Sequence, residues 1–93
     1  MDFESLGIFE TSSTSSLLKA LEQVQKEKSV KIVGKQVCGE GIVTAFVSGN
    51  LGAVKRALTA GADAIISSNE FRSTHIIPLP HKNLFSIIRI KKN

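Results

Sequence analysis

The strongest constraint on this chain lies near its middle, where two apolar runs flank the tetrapeptide Cys38-Gly39-Glu40-Gly41. Val30-Lys31-Ile32-Val33 begins the first run, and Ile42–Val47, nearly continuous in apolar residues, forms the second. Runs of this composition separated by so short a glycine-bearing link read as two antiparallel strands joined by a tight turn. Glycine lifts the Cβ penalty on positive φ and lets other backbone come close. The tip therefore has three readings: a plain turn, a ligand-binding loop, or the rim of something assembled around it.

Helical patterns bracket this hairpin. Leu17, Leu18, Leu21 and Val24 recur at helical spacing, with Lys19, Glu22, Gln23 and Lys26 on the other side, which predicts a helix over about Ser13–Lys28. The hydroxyl run Thr11-Ser12-Ser13-Thr14-Ser15-Ser16 opens onto it and supplies several candidate N-caps. Val54, Ala57, Leu58, Gly61, Ala62 and Ile65 mark a second helix over about Leu51–Ser67, with Asn50 as its N-cap and a stripe of small residues suited to lying close on a sheet. Ser5–Thr11 reads as the first strand and Phe71–Pro78 as the fourth. Pro78-Leu79-Pro80 cannot continue a central ladder, so the last strand belongs at an edge. His81–Arg89 has an ambiguous pattern compatible with a short helix. The order β-α-β-β-α-β predicts an α+β, ferredoxin-like fold: a four-stranded antiparallel sheet with two helices on one face and a short C-terminal extension.

At 93 residues the chain suits one domain, with a core over about residues 5–81 and a tail over 82–93. Its 42% hydrophobic content, drawn from aliphatic residues with only five Phe and no Trp or Tyr, exceeds what so small an interior can hide. Burial against other copies follows as an expectation. The net charge of +4 owes part of its excess to Arg89, Lys91 and Lys92, so it carries little weight as a nucleic-acid signal. One cysteine precludes an internal disulfide and suits a reducing cytosol. The acidic start Met1-Asp2-Phe3-Glu4 does not resemble a secretory signal, and no apolar run approaches the ~20 residues of a membrane helix. The sequence is thus expected to be cytoplasmic, without membrane contact.

Ordinary catalytic patterns do not emerge. His75 and His81 have neither the helical pairing of a metalloprotease nor a zinc spacing, and His75 is expected to be a hydrogen-bonded structural residue in a strand. Cys38 between apolar strands reads first as a small buried hydrophobe. The glycines lie between two strands rather than opening a helix, which excludes the phosphate-loop and dinucleotide patterns. Phe9 and Phe46 sit in apolar surroundings that suggest core, which disfavours the aromatic platform of RNA-binding relatives of this fold.

Taken in order, several pieces resemble one family. Ser5-Leu6-Gly7-Ile8-Phe9-Glu10-Thr11, Val33-Gly34, Gly41-Ile42-Val43-Thr44, Gly52-Ala53-Val54-Lys55, Ala60-Gly61-Ala62 and His75-Ile76-Ile77-Pro78-Leu79-Pro80-His81 look like the single-domain, hexamer-forming shell proteins of bacterial microcompartments. These include carboxysomes and the propanediol- and ethanolamine-degrading organelles. The resemblance implies a non-enzymatic, structural shell subunit. It implies a cyclic hexamer that tiles with other shell proteins and lets small metabolites or cations cross a central pore.

The resemblance also implies site residues. The pore would be lined by Val37, Cys38, Gly39, Glu40 and Gly41. Tile-edge contacts would fall to Lys26, Pro78, Leu79, Pro80 and His81. Three departures from the family pattern stand out. Leu79 replaces the usual arginine between the prolines, Ser12-Ser13 replaces Lys-Gly ahead of the first helix, and Glu40 replaces a small residue between the glycines. Six Glu40 carboxylates would make an acidic ring, as in charged-ring filters, unless each points into solvent or toward Lys35. No cofactor is expected, with one alternative: Cys38 thiolates meeting at an axis could hold a metal or an iron–sulfur cluster. A ferredoxin-like binder of small ligands or nucleic acid is the remaining alternative.

Overall fold

Alternation along the strands assigns the two faces of the sheet. The computed structural model describes residues 4–79. Its elements are β1 (Glu4–Thr11), α1 (Thr14–Val24), β2 (Val30–Val37), β3 (Val43–Gly49), α2 (Leu51–Ile65) and β4 (Phe71–Leu79). The strands form one sheet in the order β2-β3-β1-β4, antiparallel at every pairing. This is the expected α+β, ferredoxin-like arrangement, with β4 and its Pro78 on an edge. Pro80, His81, the tail and the short helix expected at His81–Arg89 lie outside the described residues.

The core lies between the sheet and the helices. Phe9 of β1 and Val43, Ala45 and Val47 of β3 meet Leu17, Ala20, Leu21 and Val24 of α1 and Val54, Ala57, Leu58 and Ile65 of α2. Each fully buried Leu, Val or Phe side chain stabilises the fold by about 1.5–3 kcal/mol. Phe71 meets Phe9 edge to face at a centroid distance of 5.6 Å, within the favourable range for aromatic pairs. The small residues of α2 allow close approach. A Cβ on Gly61 would fall 3.0 Å from Val24 Cγ2 and 3.3 Å from the Ala20 carbonyl oxygen, so the two helices touch there.

Three expectations need correction. α1 ends at Val24 rather than near Lys28, because its buried stripe of Leu17, Ala20, Leu21 and Val24 stops there and Gln25–Ser29 has no apolar side chain to bury. α2 gives way after Ile65 to a 3₁₀ turn at Ile66–Ser68 that ends on left-handed Asn69. Phe46 is not core. The register sets it beside Ile8 and Gly34 on the face opposite α1 and α2, where it is half-buried.

β2 also carries a bulge. Ile32 pairs with Val47 and Gly34 with Phe46, so Val33 is the extra residue on its strand.

Candidate functional site

Cross-strand pairing carries β2 and β3 to Val37 opposite Val43, where the hairpin begins to close. The Cys38 N–H then donates to the Ile42 carbonyl at 2.7 Å, leaving Gly39-Glu40-Gly41 as a single 3₁₀ turn. Glu40 (φ 64) and Gly41 (φ 78) are both left-handed. Gly41 takes that conformation freely, whereas a side chain there costs about 1–2 kcal/mol. Gly39 is different. A Cβ added at Gly39 would meet nothing within 4 Å, so no crowding inside one chain asks for a glycine there.

The side chains of the tip divide by direction. Val37 is 76% exposed, the most exposed large hydrophobic among the described residues. Gly39, Glu40 and Gly41 are exposed as well. Cys38 is half-buried and turns back toward the sheet, with its Sγ 3.6 Å from Oγ1 of the buried Thr44. Thr44 belongs to a polar row of cross-strand neighbours on the face opposite α1 and α2, Gln36–Thr44–Glu10–Ser73, in which the Ser73 hydroxyl donates to the Glu10 carboxylate. Cys38 is therefore a partly shielded thiol beside a hydroxyl rather than a buried hydrophobe.

Glu40 does not pair with Lys35. The one ion pair among the described residues joins Arg56 to Glu27, through hydrogen bonds of 3.0 and 3.2 Å. That contact holds the Glu27 carboxyl below its ordinary range and raises the Arg56 guanidinium. Among the described residues no group of three His, Cys, Asp or Glu side chains is placed to hold a metal ion. His75 is exposed on β4 opposite Ile8, and no described residue is a hydrogen-bond partner of its ring, contrary to the structural role expected of it.

Of the expected tile-edge residues, Lys26, Pro78 and Leu79 fall among the described residues. Lys26 is exposed in the turn after α1, where its backbone N–H donates to the Gln23 carbonyl. Pro78 is exposed on β4, opposite Ser5, and Leu79 is the last residue of that strand. β2 forms the other edge of the sheet.

Sequence reasoning did not find Glu70. Its carboxylate accepts hydrogen bonds from Ser13 Oγ at 3.0 Å and from Ser16 Oγ, while Ser13 Oγ also caps α1 by accepting the Ser16 N–H at 3.1 Å. The Ser12 N–H donates to the Glu70 carbonyl at 2.9 Å. The Ser16 and Ser13 hydroxyls hold the Glu70 carboxyl below its ordinary range, and the positive end of the α1 dipole favours the same charge. The hydroxyl run is thus a latch between the start of α1 and the start of β4. It also shows how Ser12-Ser13 leads into the helix.

Two shallow grooves lie among the described residues. One, of about 420 Å³, lies between α1 and β2 and is lined by Leu18, Leu21, Glu22, Gln25, Ile32 and Lys35. The other, of about 390 Å³, runs along the outer side of α2 over Lys55, Arg56, Thr59, Ala60 and Asp63.

Comparison with known proteins bears directly on this geometry. Residues 5–80 match the model of the BMC domain. The chain is 38% identical over 88 residues to the bacterial microcompartment shell protein PduA of Citrobacter freundii, covering 95% of each chain. It is 39% identical over 87 residues to the bacterial microcompartment shell protein EutM of Escherichia coli K12, covering 94% of this chain and 90% of that one. Among solved structures, a microcompartment protein from Desulfitobacterium hafniense superposes with a TM-score of 0.77 at 26% identity over 88% of this chain. This chain spans about half of that one, 47% of its length. The match runs from the first strand through the hairpin to the last strand, and the chain belongs to the BMC domain family of bacterial microcompartment shell proteins.

Proposed function

We propose that this chain is a structural subunit of a microcompartment shell, a cyclic hexamer with the β2–β3 hairpin tips gathered around a central pore. The observation that carries the reading is the exposed tip within the family match. Val37 and Glu40 stand free, and Gly39 is a glycine that its own chain does not require. Convergence of several copies gives that glycine a steric reason, because side chains would crowd near an axis. The exposed apolar side chains Leu18 (49%) and Ile66 (60%) are further surface suited to burial between neighbours.

In this reading Val37, Cys38, Gly39, Glu40 and Gly41 line the passage for small metabolites or ions. Lys26, Pro78, Leu79, Pro80 and His81 meet other shell proteins at the tile edge, within a shell in the bacterial cytoplasm. The thiol direction supports a pore over a cluster socket at Cys38, since the Sγ faces Thr44. The reading needs no cofactor.

Sedimentation and native mass measurement test it. A six-chain ring is expected, and a chain that stays monomeric at high concentration overturns the reading. Gly39→Leu sharpens the test. A Cβ there meets nothing within 4 Å, so the folded content should persist while the ring mass falls.

A further inference from the structure

We infer that Glu40 sets the class of solute the passage admits: cations and uncharged polar molecules cross, while carboxylate- and phosphate-bearing solutes are held back. The inference rests on the ring reading above and names the substrate class of that same opening. Glu40 carries the only formal charge between Lys35 and Lys55, so nothing along the hairpin turn or β3 offsets its sign. It is exposed and has no cationic partner among the described residues. It sits in a closed turn, with the Cys38 N–H donating to the Ile42 carbonyl and left-handed Gly41 following it.

The sign is opposite to that of the whole chain. With a net charge of +4, the subunit as a whole draws anions toward its surface, and the tip opposes them. A ring repeats one carboxylate around one opening, and fields from repeated charges add there. Rings of Asp or Glu select cations in channels by this same means. The Cys38 Sγ turns back toward Thr44 rather than standing free as Glu40 does.

The test is ion selectivity of rings whose six-chain mass has been verified, inserted in a planar bilayer under a KCl gradient. The summed field of six carboxylates leads to an expected K⁺-over-Cl⁻ permeability ratio of about tenfold, falling to about one in Glu40→Gln. Glu40→Lys should reverse the preference. Wild-type and Glu40→Gln rings with the same ratio, or verified rings that pass no current, overturn the inference. Failure of the ring reading registers separately, as absence of the six-chain mass.

Discussion

Glu70 and Glu40 occupy comparable places, each at a short turn with a left-handed residue. Asn69 (φ 65) precedes Glu70, and Glu40 itself has φ 64. Glu70 is held by Ser13 and Ser16 and joins the start of α1 to the start of β4 across 57 and 54 residues of sequence. Glu40 is exposed and has no ion pair among the described residues. The first carboxylate is committed to the fold. The second tolerates an unfavourable backbone conformation with no return inside its own chain, and such outliers cluster where the structure serves something outside itself. The difference separates what holds this domain together from what it presents.

That contrast can be broken most directly at the latch. Ser13→Ala removes both the cap on α1 and one partner of Glu70, and should lower stability by about 1 kcal/mol, read as a lower denaturant midpoint at pH 7. A wild-type midpoint would mean that Ser13 contributes to neither the cap nor the latch.

Acid supplies the next test. Because the folded-state pKa of Glu70 is lowered, its contribution is complete above the ordinary value of 4.5 and is lost as pH falls through the lowered value. Melting temperature should therefore drop on acidification below that point, and Glu70→Gln should flatten the drop. The part due to Glu27, lowered by Arg56, would remain.

The smallest effect is expected at the tip. Glu40→Gly relieves a left-handed glutamate but frees the unfolded chain, so stability should change by less than about 1 kcal/mol. A large loss on Glu40→Gly would place that residue with Glu70 among the structural carboxylates.

These regions also differ in how far the sequence revealed them. Strand and helix order was readable because the apolar spacing of Leu17, Leu21 and Val24, of Val54, Ala57 and Leu58, and the glycines of the hairpin are local signals. Asn50 was readable as a cap for the same reason, and its Oδ1 accepts the Ala53 N–H at 2.9 Å. The Glu70 latch was not, since the hydroxyl run advertised donors while the acceptor lay on another turn far along the chain. The face taken by Phe46 depended on cross-strand register, which composition does not encode. At the tip, the turn and its exposed glutamate were legible. The direction of the Cys38 thiol required Thr44 to be placed beside it.

The bulge at Val33 has an implication for how chains of this kind can vary in length. Because the extra residue is already absorbed between Ile32 and Gly34, deleting Val33 would leave Ile32 opposite Val47 and Gly34 opposite Phe46, with the later pairs through Val37–Val43 unchanged. A single-codon deletion at this point would be silent at the hairpin tip. Lineages could thus drift in spacing between the first helix and the tip while every residue from Gly34 to Gly41 kept its address.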